Sequence, residues 1–372
     1  MRRGTAGTRP SPSWRHRPRE RGRRDAVPRL QATGEEGTTT RHDFSELHDV
    51  WTRLALESDQ ADPFCSSDFW QLSFCETLAQ QAIPTVEEAA GNIIAFSQLW
   101  FKGTLRMLLP LETDWCFGCP LLGRNAPELL AETIAYIRRQ CGDFVFPDIA
   151  VSAVRPNSAL LRELHAHLRR THDFFLYSRG AQCSASLEGG LDGFLSRRSG
   201  NFRQKIKKSF RLARERGVEF ERVLPLTPEE AKGTFDRLIA VELTSWKGLG
   251  HCGMAESPIR NFYEAMLRRL AEHGAGRVIF AKHEGADIGF IFGGKVGGIY
   301  RGQQFSYADD WKRHSIGNLM QIEKIRWLCE EGAERYDMGP IVGPKMEYKK
   351  LWTEMDHPIQ TWMLRAKPGR VL

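Results

Sequence analysis

The fold is set by residues 276–332, which read GRVIFAKHEGADIGFIFGGKVGGIYRGQQFSYADDWKRHSIGNLMQIEKIRWLCEEG. Three apolar, strand-like runs in this segment are separated by short turns that contain glycine, a pattern typical of an antiparallel meander. An amphipathic run of helical period follows, and then a short strand, AERYDMG. The order of three strands, a helix and a strand predicts a mixed α/β layer.

The segments before and after this one complete two loosely similar copies of the same order. In the first copy we predict two helices from Asp43 and Ser66, the strands NIIAFSQLW and TLRMLLPLE, a helix over 127–140, the strand FVFPDIAV, a helix in NSALLRELHAHLRRT, and the strands DFFLYSR and CSASLEG. In the second copy we predict the strand VEFERVL, a helix capped by Thr227, a helix that ends at Gly274, and a last strand in HPIQTWMLRA. The predicted domains are therefore 42–190 and 219–372, joined by a helix over 191–218.

The positive charge of the chain is concentrated at its start. The formal net charge is +7, and residues 1–41 contain eleven Arg and four acids, which gives 11 − 4 = +7. The remaining chain is formally neutral, which argues against a nucleic-acid footprint over the folded surface. The first 41 residues are also poor in apolar side chains, so we predict a disordered basic tail. They lack the apolar segment of a secretory signal but fit an Arg-rich transit peptide.

A second basic segment connects the two predicted domains. Between Arg197 and Arg216 there are nine Lys or Arg and one acid, Glu215. Helical spacing predicts that one stripe packs on the protein while the neighbouring face is cationic. The apolar stripe consists of Phe202, Ile206 and Phe210, and the cationic face of Arg203, Lys207, Arg211 and Arg214. We expect this face to bind an anionic donor or acceptor in the cleft between the domains, with Arg203 and Lys207 as its contacts.

Four segments carry a likeness to a known family: RRSGNFRQKIKKSFRLARERG (197–217), ELTSWKG (242–248), SIGNLM (315–320) and YDMGPIVGPKMEYKKLW (336–352). With them the chain resembles the GNAT acyltransferases, and in particular the CelD-like branch associated with cellulose biosynthesis. That branch is related to the Fem peptidyltransferases, which pair two GNAT domains. The resemblance implies an α/β fold with mixed sheets, two GNAT-like domains in tandem, and transfer of an acetyl or longer acyl group from acyl-CoA to an amine.

The donor site is predicted at the start of the helix within residues 276–332. Free N–H groups and the helix dipole at such a position favour an anion, here the pyrophosphate of acyl-CoA. The residues expected there are Lys312, Arg313, His314, Ser315, Ile316, Gly317 and Asn318. The alternative is a helix simply capped by Ser315. The resemblance further implies a splayed strand pair, where the backbone around Gln303 and Phe305 pairs with the pantetheine amides.

Acyl transfer to an amine also needs a base for the ammonium proton. The first candidate is Glu242, one helical turn before Trp246 and Lys247; the alternative is a solvated glutamate that pairs with a neighbouring lysine. A second candidate is His251, in a Gly-rich loop, because histidine titrates near neutral pH. Trp246 and Lys247 are predicted to bind the substrate, with protein core as the alternative for the tryptophan.

The segment after the last buried strand supplies three further candidates. Asp337 ends that strand, and a buried carboxylate requires a partner, which Lys349 or Arg301 would provide; a purely structural ion pair is the alternative. The resemblance implies that Tyr348 protonates the leaving thiolate. Lys349 is predicted to bind an anionic substrate or the phosphates of the donor, although paired lysines also occur on solvated faces.

Two other functions remain open from the sequence. The donor can be aminoacyl-tRNA, as in the Fem enzymes, or an acidic acyl carrier protein, because the basic helix suits both. The chain can also be a non-catalytic nucleic-acid-binding module. The acceptor is expected to be an amine of a small metabolite, sugar or peptide.

The cysteines and the apolar runs of the sequence bear on metal binding and on location. Cys116 and Cys119 in WCFGCP lack a second pair of ligands, so we expect no metal. No apolar run is long enough to span a bilayer. Scattered cysteines favour a reducing compartment, and the predicted location is the cytoplasm.

Overall fold

The computed structural model of the chain describes residues 44–79, 83–113, 115–141 and 146–368. The basic tail predicted to be disordered, residues 1–41, lies outside the described residues.

The first half of the chain folds into helices and strands in nearly the predicted order. A 3₁₀ turn, Phe44–Leu47, leads into α1, and the elements of this half are α1 (His48–Glu57), α2 (Pro63–Ser66), α3 (Asp68–Thr77), β1 (Ile83–Ala89), β2 (Asn92–Phe101), β3 (Thr104–Pro110), β4 (Leu121–Leu122), α4 (Ala126–Cys141), β5 (Asp148–Val154), α5 (Ala159–Leu168) and β6 (His172–Ser186). Two short differences stand out. Strand β1 was not predicted, and the two predicted strands DFFLYSR and CSASLEG are one continuous strand, β6.

The second half begins with the basic segment. Its elements are α6 (Gly190–Ser196), α7 (Gly200–Glu215), β7 (Glu219–Val223), α8 (Pro228–Thr244), α9 (Trp246–Leu249), α10 (Ile259–Glu272), β8 (Gly276–His283), β9 (Ala286–Val296), β10 (Ile299–Tyr307), α11 (Ile316–Glu330), β11 (Arg335–Pro340) and β12 (Met355–Ala366), with 3₁₀ helices at Asp309–His314 and Pro344–Leu351. The predicted cap of α8 is confirmed, because the Thr227 side chain accepts a hydrogen bond from the backbone N–H of Glu230 at 3.2 Å.

All the named strands belong to one mixed sheet. Its order is β1-β2-β3-β5-β12-β6-β11-β10-β9-β8-β7, with β4 beside β2. Each half contains one parallel pair whose strands are linked by a helix: β3 with β5 across α4, and β10 with β11 across α11. The last strand, β12, lies between β5 and β6 and is antiparallel to both. The repeat predicted from the element order is therefore present in a single continuous sheet.

Helices cover both faces of the sheet in the second half. On one face, Leu238 of α8 and Phe262 of α10 pack with Phe280 and Phe292 of the sheet. Phe64 of α2 belongs to the same cluster, so the first half contributes to this core. The opposite face is covered by α11, whose buried side chains Ile316, Leu319 and Met320 pack on Ile279 and Ile291. The part of the sheet that contains β8 and β9 is therefore covered by helices on both faces.

Candidate active site

Strands β10 and β11 part from each other after a short stretch of parallel pairing. The pairs are Ile299 with Arg335, Tyr300 with Tyr336, and Arg301 with Asp337. Beyond them β10 continues to Tyr307 alongside β9, whereas β11 continues to Pro340 alongside β6. The register is irregular where they part, at Gly302/Gln304 in β10 and Asp337/Gly339 in β11. The splayed strand pair implied by the resemblance is thus present, and it leaves a gap beside Gln304–Tyr307.

A buried arginine occupies the point where the strands part. Arg301 Nε donates a hydrogen bond to Asp62 Oδ2 at 2.8 Å, and both side chains are almost fully buried. Its guanidinium lies against Gly339, where a Cβ atom would be 2.4 Å from one of the guanidinium nitrogens. Gly339 also has φ of +74°, which L side chains rarely adopt. The glycine is therefore required both by the backbone and by the arginine.

Asp337 pairs with a residue that was not foreseen. Arg335 donates to its two carboxylate oxygens at 2.6 Å each, because alternate residues of a strand point to the same face. Burial raises the pKa of Asp337 to about 6, although the bonds from Arg335 oppose the shift. Lys349 was predicted as a partner, and this is wrong: its Nζ donates to the backbone oxygen of Pro340 at 2.7 Å. The structural ion pair considered for Asp337 is present, and a catalytic role for it stays a prediction.

Glu242 is the centre of a second buried network, on the side of the gap covered by α8 and α10. It is 0% exposed. Its Oε1 accepts from the backbone N–H of Met254 at 3.0 Å, and its Oε2 accepts from the hydroxyl of Ser306 on β10. The interpretation of Glu242 as a solvated helix residue is therefore wrong, because its carboxylate faces β10 rather than water.

Lys247 connects the short helix α9 to the splayed part of β10. Its Nζ donates to Gln304 Oε1 at 3.0 Å and to the backbone oxygen of Phe305 at 2.9 Å. Burial lowers the pKa of Lys247, and the nearby carboxylate of Glu242 only partly offsets that effect. Gln304 in turn donates to the hydroxyl of Tyr263 at 2.7 Å. Glu242 and Lys247, which were predicted to share a face, thus lie in one polar layer against β10.

The segment predicted to hold the donor's phosphates precedes helix α11. Residues Asp309–His314 form a 3₁₀ helix, and Ser315 then adopts a left-handed conformation with φ of +59°. Its side chain makes no capping hydrogen bond. The interpretation of Ser315 as a simple side-chain cap is therefore wrong, although its backbone oxygen accepts a hydrogen bond from the N–H of Asn318 at 3.0 Å. Lys312 is exposed and pairs with Asp309 at 2.8 Å.

Helix α11 approaches β10 closely because of Gly317. A Cβ atom there would lie 3.1 Å from a ring carbon of Tyr307 and 3.2 Å from one of Phe305. On the same strand, the side-chain nitrogen of Gln303 is buried and has no hydrogen-bond partner among the described residues. An orphaned buried donor of this kind is costly unless a ligand or water meets it. The splayed strand therefore presents an unsatisfied polar group, Gln303, and two aromatic rings beside the start of α11.

The basic helix α7 packs as predicted. Ile206 is buried, and Phe202 and Phe210 are partly buried against the core, where Phe202 meets Trp352 with ring centroids 5.1 Å apart. Arg203, Lys207, Arg211 and Arg214 are exposed. The helix lies against α11 and the 3₁₀ helix Asp309–His314. Helix α7 is therefore a neighbour of the predicted phosphate segment.

The other predicted site residues, Tyr348, Trp246 and His251, differ in how far they are buried. Tyr348 is partly buried with its ring 5.9 Å from that of Phe305, and burial raises its pKa to about 12. Trp246 is 49% exposed at the start of α9. His251 is 84% exposed and pairs with Glu256 at 3.2 Å, so it takes no part in the hydrogen bonds around Glu242.

The sequence did not reveal several residues that complete these networks. They are Asp62, Tyr263, Gln304, Ser306 and Arg335. A signal was available for those on strands, because polar side chains interrupt the otherwise apolar runs of β10 and β11. Asp62 carried no such signal, since it precedes α2 in the first half and meets Arg301 only through the tertiary fold.

Residues 44–79, 83–113, 115–141 and 146–368 contain no group of three or more His, Cys, Asp or Glu side chains placed to hold a metal ion. Over the same residues, no helix has the length and apolar character needed to cross a bilayer.

The parallel pair that splays beside a helix is the arrangement that the resemblance to the GNAT acyltransferases implies. Residues 200–350 match the family described as acetyltransferase (GNAT) domain. The match covers less than half of the chain, and residues 200–350 are the part that is similar to a GNAT acetyltransferase domain. No protein among the curated sequences matches the chain.

Solved structures with the same fold span most of the chain. FemX is 13% identical, with a TM-score of 0.57 over 86% of this chain and 96% of its own. A conserved protein of unknown function from Bacteroides thetaiotaomicron VPI-5482 is 14% identical, with a TM-score of 0.57 over 87% of this chain and 97% of its own. L-PGS from Bacillus licheniformis is 14% identical, with a TM-score of 0.52 over 85% and 90%. These likenesses show that the fold of FemX, in both halves, is shared by this chain.

Proposed function

We propose that the protein is an acyl-CoA-dependent N-acyltransferase that transfers an acetyl or longer acyl group to an amine of a small metabolite, sugar or peptide. The observation that carries the proposal is the gap between β10 and β11, which has an anion-favouring helix start on one side and the buried Glu242 network on the other. A thioester held in this gap would meet an amine from the side of α8 and α10.

The residues around the start of α11 fit an acyl-CoA donor. The first N–H groups of α11 favour phosphate oxygens. Helix α7, which carries the exposed cations Arg203 and Lys207, packs against α11 and against the 3₁₀ helix before it, and we propose that these cations add positive charge to the site. The unpartnered nitrogen of Gln303 can donate to a carbonyl of the pantetheine arm. Arg313 and Asn318 lie on either side of the helix start and are proposed to complete the phosphate contacts.

The reaction needs one bond to form and one to break. The amine nitrogen attacks the thioester carbonyl, the new C–N bond replaces the C–S bond, and the ammonium proton leaves to a base while the thiolate takes up a proton. We assign the base to Glu242, reached through the hydroxyl of Ser306, which already donates to that carboxylate. An ammonium group carries three donors, and Lys247 directs two of them at Gln304 and Phe305, which leaves one for the substrate.

Tyr348 is placed to assist the leaving group. Because burial raises its pKa to about 12, the phenol stays protonated at neutral pH and can donate a hydrogen bond to the departing sulfur. Its ring lies against Phe305, in the splayed part of β10. We expect the reaction to take place in the cytoplasm, which agrees with the free thiols of the described cysteines.

A second candidate donor is aminoacyl-tRNA, and the exposed cations of α7 favour it, since clustered Lys and Arg bind a nucleic-acid backbone. Calorimetric titration with acetyl-CoA and with a charged tRNA distinguishes the two donors. We expect saturable binding of acetyl-CoA, and release of free thiol when an amine acceptor is present. Binding of charged tRNA without binding of acetyl-CoA would overturn the proposal in favour of the second donor.

A further inference from the structure

Exposed apolar side chains are concentrated in two short segments of the second half. Among the described residues, fourteen large apolar side chains are exposed, and six of them lie in residues 243–249 and 342–351. They are Leu243, Trp246, Leu249, Val342, Met346 and Leu351. Helix α9 has no fully buried residue, and its Trp246 and Leu249 are exposed. Apolar groups grouped in this way on a surface mark a binding site for another apolar group.

Both segments meet at a single residue, Phe305, in the splayed part of β10. From one side, Lys247 of α9 donates to the backbone oxygen of Phe305, and its Nζ lies 5.8 Å from the ring centroid. From the other side, the ring of Tyr348 lies 5.9 Å from the same ring. The two segments that carry the apolar side chains therefore reach the gap from its two sides.

We propose that these two segments, the apolar rim, bind the hydrocarbon chain of a medium- or long-chain acyl donor, so that acetyl-CoA is not the preferred substrate. The inference rests on the proposed function, because only a thioester held between β10 and β11 starts its acyl chain within reach of Phe305. Lys247 is compatible with it, because its amine is directed at Gln304 and Phe305. The exposed charges Glu347 and Lys350 within the rim pair with each other at 3.3 Å.

The occupant follows from the position of the rim. A polar acceptor gains nothing from Leu249, 66% exposed, or Val342, 65% exposed, because neither side chain offers a hydrogen bond. A hydrocarbon chain removes those side chains from water, and each CH₂ that is buried adds to the affinity. The rim therefore discriminates among donors by chain length and is indifferent to the polar part that all acyl-CoAs share.

The test compares acetyl-CoA with octanoyl-CoA by isothermal titration calorimetry. We expect octanoyl-CoA to bind at least about tenfold more tightly, a modest fraction of the gain from burying six methylenes. The double variant Leu249→Ser, Met346→Ser should remove most of that preference and leave the affinity for acetyl-CoA unchanged. The matched control is Leu226→Ser, which changes an apolar side chain of similar exposure, 56%, in another part of the surface.

The possible results separate a failure of the inference about the rim from a failure of the proposed function. If acetyl-CoA and octanoyl-CoA bind equally, or if the double variant keeps the preference, the inference about the rim is overturned while the proposed function stands. If neither donor binds, the proposed function itself fails. If the double variant changes only the oligomeric state in sedimentation velocity, the rim binds a second copy of the chain and the inference is likewise overturned.

Discussion

The side-chain amine of Lys247 donates a hydrogen bond to the backbone oxygen of Phe305 at 2.9 Å. This contact joins α9 to the part of β10 that no longer pairs with β11. The backbone oxygen of Phe305 thus accepts a hydrogen bond from a side chain of the helical layer. Glu242 lies near enough to oppose the loss of charge on this lysine. The polar layer beside the gap therefore behaves as one coupled unit, which makes its members testable against residues outside it.

Replacement of Glu242 by Gln should abolish most of the activity without unfolding the protein. The amide keeps an oxygen for the Met254 N–H but cannot accept the ammonium proton, and loss of a general base costs roughly 10²- to 10⁴-fold in kcat. Thiol release measures the rate, and circular dichroism verifies the fold. The control is His251→Ala, which should retain kcat because that ring is exposed. Loss of activity in the His251 variant with retention in the Glu242 variant would reverse the assignment.

Lys349 should make stability depend on pH. Burial lowers its pKa to about 7, with a smaller contribution from Arg301. The unfolded chain, with a lysine pKa of about 10.4, therefore binds a proton that the folded chain lacks between these two values, and the free energy of unfolding rises with pH in that window. The difference between the wild type and Lys349→Met should grow in favour of the wild type from pH 7 to pH 10.

Urea denaturation at several pH values within that window measures the difference. Lys350→Met is the matched control, because Lys350 is an exposed neighbour paired with Glu347. Its difference from the wild type should not change with pH. Equal slopes for the two variants would show that Lys349 is not held in a lowered protonation state.

Gly339→Ala should destabilise the protein more than Gly332→Ala does. The two glycines have similar φ angles, +74° and +69°, so an added methyl group strains the backbone to a similar extent. Only at position 339 would it meet Arg301, and at position 332 no atom lies within 4 Å. Displacing Arg301 from Asp62 should cost about 2 kcal/mol or more beyond the shared backbone strain. Equal unfolding free energies for the two variants in urea would rule out a contact between Gly339 and Arg301.

Reversal of charge at Arg203 and Lys207 to Glu should weaken binding of acetyl-CoA and leave stability within about 0.5 kcal/mol of the wild type. Both side chains are exposed on α7, next to the segment proposed to hold the phosphates. The weakening should diminish at high salt. Charge reversal at Lys102 and Arg106, exposed near the β2–β3 turn, makes the same change in net charge and should have no effect. Unchanged titrations combined with lost stability would indicate a structural role for α7.

Local patterns were sufficient for most of the fold and for one part of the site. Helix α8, with Thr227 as its cap, and the apolar stripe of α7 follow from spacing that each helix carries by itself. Strand β1 was missed because IPTVEEA mixes a proline and two acids with few apolar residues. Strand β6 was divided in two because Arg179 and Gly180 resemble a turn, whereas β12 pairs with both residues and keeps the strand continuous.

Partners that come from distant parts of the chain could not be predicted. Asp62 and Arg301 are 239 residues apart, and only the insertion of α2 into the core of the second half brings them together. Glu242 was identified as a candidate from its place in ELTSWKG, but its burial depends on Ser306 and the Met254 backbone, which belong to other elements. The sequence therefore predicted which residues to examine and not the bonds they form.

Strand β12 lies between β5 and β6, although it comes after every other strand in the sequence. Strands β7 to β11 pair with one another, and only β11 also pairs with a strand of the first half, β6. This part of the sheet can therefore form before β12 is synthesised. The first half, by contrast, keeps two open edges until Met355–Ala366 has been synthesised, and unpaired edges of this kind invite pairing with other chains. The half of the sheet that is synthesised first is therefore completed last, when β12 pairs with the edges of β5 and β6.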